Sequence, residues 1–151
     1  MEIQLSTHFT LAEIIASDYA ARQGFDNTPT PEILAHLKLL CLNLLERERQ
    51  FFNLPIIVTS GYRSLVVNTG IGGASKSQHM TGDACDHHVL NMSDEDVVRK
   101  LYYSQIPYDQ LILEFPPNGW VHISRSNKPR RQTLIATRGT DGKTVYEPYM
   151  G

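Results

Sequence analysis

An α+β fold, with N-terminal helices packed on a small and mainly antiparallel sheet, is predicted by three features of the sequence. Helical periodicity dominates the first fifty residues. Short runs rich in β-branched residues, punctuated by Gly, Pro and Asn, fill most of the remaining chain. Two pairs of those runs lie close enough to close as hairpins.

Each element has a local reason. Residues 9–22 (FTLAEIIASDYAAR) read as one or two short helices. Thr30-Pro31-Glu32 marks a helix start, with a capping hydroxyl, a proline at the first position and an early acid. Ile33, Leu34, Leu37, Leu40, Cys41, Leu44 and Leu45 recur at helical spacing to about Gln50, so this helix packs on the core and His36 and Cys41 are structural. Leu54–Ser60 (LPIIVTS) is a short strand that breaks at Gly61, and Ser64–Asn68 a helical turn. Thr69–Ser75 (TGIGGAS) lacks a Walker lysine-serine pair and a G-x-G-x-x-G, and so reads as a turn of wide conformational freedom. Asp83–Leu90 is a strand, and Ser93 with Asp96 opens a helix to about Ser104. Asp109–Phe115 and Trp120–Ser124 flank the turn PPNG, and TLIATRGTDGKTVYE forms a last hairpin turning at Gly139–Gly142.

No repeat, linker or low-complexity tract interrupts the chain, and 151 residues fit one domain, 1–151, able to bury its own core. The net charge of −2 provides no global positive field for nucleic acid. No apolar run approaches the ~18 residues of a transmembrane span, and the N-terminus lacks a basic segment followed by an apolar one. Synthesis in the cytoplasm without a signal peptide is therefore expected. Cys41 and Cys85 form no pattern of a disulfide framework.

Chemistry concentrates in Ser77–His88 (SQHMTGDACDHH), which packs three histidines and two aspartates into twelve residues. His79 and Asp86 lie too far apart for the one-turn spacing of H-E-x-x-H. A turn at Met80–Asp83, permitted by Gly82, can instead bring a loop histidine to a strand aspartate. Alternation puts Ala84, Asp86 and His88 on one face of that strand and Asp83, Cys85 and His87 on the other. Trp120, His122 and Ser124 share a face of a later strand, so His122 is a candidate third ligand. Two histidines and a carboxylate suit a catalytic zinc with one open position. Glu114, beside apolar Ile112 and Leu113, needs a partner or a role. Plainer alternatives stay open on the residues alone: a hydrogen-bonded core histidine at 122, and an ion pair of Glu114 with Arg63 or Lys128.

The ordered set Thr59-Ser60-Gly61-Tyr62-Arg63-Ser64, then Ser77-x-His79-x-x-Gly82-x-Ala84-x-Asp86, then Trp120-Val121-His122 resembles the zinc DD-peptidase family. These are D-alanyl-D-alanine carboxypeptidases and peptidoglycan endopeptidases of the hedgehog/DD-peptidase fold. LSTHFTLAEI, DNTPTPEIL and RRQTLIA extend the likeness along nearly the whole chain, toward the family's short phage and prophage branch. The resemblance implies one Zn2+ held by His79, Asp86 and His122, with Arg63 in the active site and Ser77 beside the substrate. It also implies hydrolysis of a peptidoglycan stem peptide by a monomer, as a phage or prophage lysis enzyme released to the wall or carried in a virion. One departure matters. Several members carry a catalytic acid or histidine three residues before the last ligand, where this chain has Gly119, so Glu114 becomes the expected base. That departure also sustains an alternative, an inactive zinc-binding virion or structural module of the same fold. His88 is open between supporting the ligands and standing in solvent, as is His87. The run Arg125–Arg131 (RSNKPRR), without an aromatic platform, reads as a solvated face drawn to an anionic wall rather than to nucleic acid.

Overall fold

Local signals act where the sequence places them in the computed structural model, which describes residues 1–151. Helix α1 (Leu11–Ile15) opens on a reciprocal capping box between Thr10 and Glu13, and α2 (Asp18–Gln23) on the Ser17 hydroxyl. Helix α3 (Pro31–Leu40) starts at the Thr30 cap and passes without a break through a π-helical segment, Cys41–Leu45, into α4 (Glu46–Phe52). The long predicted helix therefore runs in full and stops where Asn53 turns left-handed. Its stripe of Leu37, Leu40, Cys41, Leu44 and Leu45 is buried. His36 is structural in a different way from Cys41: it is partly exposed and bonds to Asp83.

Strands β1 (Ile56–Ser60), β2 (Ala84–Val89), β3 (Gln110–Glu114), β4 (Trp120–Ser124), β5 (Gln132–Arg138) and β6 (Thr144–Pro148) form one sheet in the order β1-β2-β4-β3-β5-β6. Short helix α5 (Leu65–Gly70) lies after β1, and α6 (Asp94–Tyr102) carries the chain from β2 to β3. Helix α5 continues two residues into the predicted glycine-rich turn. Both expected hairpins, β3–β4 and β5–β6, are present, and every pair is antiparallel except β3–β5. The α+β class holds, with one parallel seam.

That seam explains the basic run. Arg125 pairs with Asp83 at 2.9 Å, and Arg130 grips Asp109 through Nε at 3.0 Å and a terminal nitrogen at 2.7 Å. Arg131 stacks on Tyr108 and donates to the carbonyls of Leu101, Tyr102, Ser104 and Ile106 around the end of α6. The segment is solvated, with residues 127–131 exposed, and is at the same time a clasp returning the chain to β5: three of its four cations are engaged within the fold.

Alternation gives the sheet two unlike faces. Cys85, Val89, Leu111, Leu113, Val121 and Ile123 join Ile14, Leu37, Leu44, Val97 and Leu101 in the core. His87 lies on this face too, fully buried, its Nε2 2.6 Å from Oε1 of an equally buried Glu48. Burial works against the charge on His87, but Glu48 outweighs it and raises the imidazole pKa. Both cysteines are buried and free; burial pushes Cys41 to about 12 and Cys85 well above its ordinary value, so neither is a poised nucleophile. The opposite face carries Asp86, His122, Ile112 and Glu114 and opens as a cleft.

Candidate metal centre

Three strands build the floor of the cleft. Asp86 of β2, His122 of β4 and Ile112 of β3 stand side by side in the ladder. His79 comes from the loop before β2, and three contacts shape that loop. The Ser77 hydroxyl accepts the His79 N–H at 3.2 Å, the Gln78 carbonyl accepts the Asp83 N–H at 3.0 Å, and the His79 carbonyl accepts the Arg63 N–H at 3.1 Å. Gly82 has a φ of +79°, and a Cβ there would press on Ile33 and Leu37 at 3.0–3.2 Å. Glycine is therefore required on conformation and on space, as the sequence spacing anticipates. Asp83 anchors the loop's end to His36, Thr81 and Arg125.

One ligand atom from each of His79, Asp86 and His122 lies within 4.8 Å of the others, and all three residues are buried. Asp86 Oδ1 is 3.2 Å from His79 Nε2 and 2.9 Å from His122 Nδ1. His79 Nδ1 is 2.6 Å from the Gly61 carbonyl oxygen. That oxygen can only accept, so the proton sits on Nδ1, and the Nε2 of a neutral ring turns its lone pair toward a carboxylate oxygen. Two electron-rich atoms facing each other in a buried site is the arrangement a cation resolves. The backbone carbonyl also fixes the ring's tautomer, as supporting partners of metal-binding histidines do. Burial raises the cost of ionising Asp86, yet positive charge and hydrogen bonds from the two imidazoles when protonated overcome it and hold the carboxyl well below its usual range, a role that a bound cation takes over when the rings are neutral. The donor set fits a zinc ion.

Two further groups face this point without partners of their own. Glu114 closes β3 one step diagonally from His122, lines the cleft, and forms neither a hydrogen bond nor an ion pair. Burial raises its pKa, helped by Asp86 and opposed by His122 and Arg63. Arg63, just past β1, lines the same cleft, and its buried Nε has no partner. Burial lowers its pKa while Asp86 and Glu114 act in the other direction. Neither ion pair considered for Glu114, with Arg63 or with Lys128, forms. The expected site residues Arg63, Ser77, His79, Asp86, Glu114 and His122 all border one cleft of about 810 Å³.

The structure resolves the two open histidines away from the centre. His87 points through the sheet to Glu48, and His88 bonds to Asp94 at the start of α6. Gly119 also acquires a reason. It sits in the turn joining β3 to β4, where a Cβ would overlap the carbonyl oxygen of Glu114. Trp120, Arg138 and Tyr146 also line the cleft. Trp120 is visible in sequence as sharing the His122 face; the other two depend on the parallel seam, which no local pattern announces.

A buried two-histidine, one-carboxylate donor set that could hold a metal ion thus stands beside a carboxylate and an arginine without side-chain partners, the parts a metal-dependent hydrolase needs. The sequence model of the family described as peptidase M15 matches residues 7–124, and the chain belongs to that family, whose members are zinc-dependent peptidases. A comparison with curated proteins found no match.

Proposed function

We propose that this protein is a zinc peptidase that hydrolyses an amide bond in the stem peptides of peptidoglycan, as a D-Ala-D-Ala carboxypeptidase or an endopeptidase. The observation that carries the reading is the meeting, in one cleft, of the His79–Asp86–His122 donor set with unpartnered Glu114 and Arg63. His79, Asp86 and His122 would hold one zinc, which when bound supplies Lewis acidity and activates water. Glu114 takes a proton from the attacking water and returns it to the leaving amine, so that water is added across the C–N bond. Its raised pKa brings it closer to neutral pH, where such a shuttle works best. Arg63 binds the peptide's carboxylate or the oxygen that gains charge at the scissile carbonyl. Ser77 holds the ligand loop and borders the substrate.

The stem peptide is favoured by the resemblance of the motifs to DD-peptidases and by a free arginine suited to a carboxylate. The same resemblance supports wall lysis by a phage or prophage. The site residues come from one sheet and the loops beside its strands, which supports a single domain, 1–151, and the monomer is kept as part of this reading. No helix is long and apolar enough to cross a membrane.

Incubating zinc-loaded protein with muropeptides and weighing the products tests the reading. Loss of a terminal D-alanine identifies a carboxypeptidase, and scission of cross-linked dimers an endopeptidase. Zinc bound at one per chain with no product in either case would leave the inert zinc-binding module instead.

A further inference from the structure

The family match ends at residue 124, yet one wall of the cleft is built beyond it. Strand β5 runs parallel to β3, with Leu134 beside Ile112 and Ala136 beside Glu114, and Tyr146 of β6 stands next to Ala136. Leu134, Ala136 and Arg138 therefore face the same side as the metal ligands. Buried Ala136 is too small to separate Glu114 from Tyr146. Leu134, Arg138, Thr144 and Tyr146 all border the cleft.

Arg138 is placed but not neutralised. Its guanidinium lies 4.7 Å from the centre of the Phe115 ring, and Phe115 is itself held edge-on by Trp120. One terminal nitrogen donates to the Gly142 carbonyl at 3.3 Å, and no carboxylate pairs with it. Arg130, by contrast, is bound to Asp109. The phenol of Tyr146, a hydrogen-bond donor at neutral pH, borders the same cleft. With Arg130 paired, the cleft lining still carries Arg63, Lys76 and Arg138 against Asp86 and Glu114, although the whole chain is net negative. A concave surface with this local excess of cations selects anions.

The two free arginines stand at opposite ends. Arg63 lies just after β1, at the edge beside the ligand strands, whereas Arg138 ends β5 beyond Glu114. Strand spacing of ~4.8 Å and a rise of ~3.3 Å per residue put the Arg138 backbone roughly 16 Å from that of His122. Allowing for the reach of an arginine side chain, that corresponds to about three residues of extended peptide.

We propose that the β5–β6 hairpin forms a second anion subsite, in which Arg138, assisted by Tyr146, binds a carboxylate about three residues from the scissile bond, so that the protein selects peptides with two well-separated carboxylates. This rests on the reading of the cleft as a peptide-hydrolysing site. The hairpin is then a specificity element, and the metal centre with Glu114 and Arg63 acts on whatever peptide it admits.

The test uses pairs of synthetic D-amino-acid peptides that differ only by a carboxylate or its carboxamide, placed two to four residues from the scissile amide on either side. Binding to the zinc-loaded full chain is tracked by the fluorescence of Trp120, the single tryptophan, which lines the cleft. In one pair the acid is expected to bind about tenfold more tightly than the amide, the scale of one charge-assisted contact. Arg138→Gln, at an exposed position, should bring both peptides to the amide's affinity, and Arg138→Lys should keep part of the preference. Equal binding across every pair, or a preference that survives Arg138→Gln, would overturn the subsite. Turnover of the same peptides separates the two readings. A preference without cleavage keeps the subsite and removes the peptidase; cleavage without preference does the reverse.

Discussion

Replacing Glu48 with alanine is expected to destabilise the fold by about 3 kcal/mol, the lower end of what removing one partner of a buried ion pair costs. Both Glu48 and His87 are fully buried, 2.6 Å apart, and neither Glu48 Oε2 nor His87 Nδ1 has another partner. No other group can take over from the lost carboxylate, which sets a substantial penalty. Histidine can shed its proton, which keeps the figure below the ~5 kcal/mol upper end. At this chain length each kcal/mol moves the melting temperature by roughly 2–4 °C, so the expected shift is about 6–12 °C. Circular dichroism melts, checked by urea unfolding with an unchanged m-value, measure it. A double replacement, Glu48→Met with His87→Leu, removes both charges and fills similar volume, and should lie close to the wild type. Zinc content of the folded variants matters as well, because His87 adjoins Asp86 on the strand. A shift under about 2 °C for Glu48→Ala, the effect of less than ~1 kcal/mol, would show that water reaches the pair. A double variant as unstable as the single one would show that shape, not charge compensation, is what the pair supplies.

Glu114→Gln keeps shape but cannot accept a proton; it should fold, bind zinc and lose ~10²–10⁴ in rate on the cleaved peptide. Full activity in that variant would remove Glu114 as the base. Asp109 accepts from Arg130 and Gln78, and the Arg130 contacts lead in holding its pKa down to about 2. A depressed carboxyl pKa contributes stability above its ordinary value near 3.8 that fades as pH falls through about 2. Arg130 is half exposed, so the contribution is about 1–2 kcal/mol after screening. The gap between wild type and Asp109→Asn should be open at about pH 6 and narrow between roughly pH 4 and 2, as acid titration of unfolding would record.

Local chemistry made most elements readable. Thr10, Ser17, Thr30 and Ser93 each cap the helix that begins after them. The faces of β2 and β4 came from alternation, which made Asp86 and His122 candidates; a turn at Gly82 added His79, and the resemblance to zinc DD-peptidases completed the set. Glu48 went unremarked in the sequence, although it continues the stripe of Cys41 and Leu44 by one more turn where an apolar residue belongs. Its partner was not visible, because which buried polar group lies across a helix–sheet interface depends on packing. The parallel β3–β5 seam was hidden for a similar reason. Two antiparallel hairpins can be joined several ways, and here the Arg130–Asp109 and Arg131–Tyr108 contacts hold the return. Everything that depends on the seam, including Arg138 and Tyr146 in the cleft, was hidden with it.

Gly119 shows how a departure legible in sequence acquires its meaning only in three dimensions. The turn that lets β3 and β4 pair, and so sets Glu114 opposite Trp120, brings residue 119 against the backbone of Glu114 itself. A side chain at 119 therefore conflicts with this β3–β4 turn, which fits the proposal that Glu114 on β3 supplies the base. Gly119→Asp should cost on the order of 1–3 kcal/mol as the turn is forced apart, the range for overpacking. In a Glu114→Gln background it should not restore hydrolysis, although it introduces a carboxylate three residues before His122. Thermal melts and peptide turnover of the single and double variants decide the matter. A double variant that regains most of the wild-type rate would show that the turn yields readily. The glycine would then be incidental, and the location of the base would not be dictated by the hairpin.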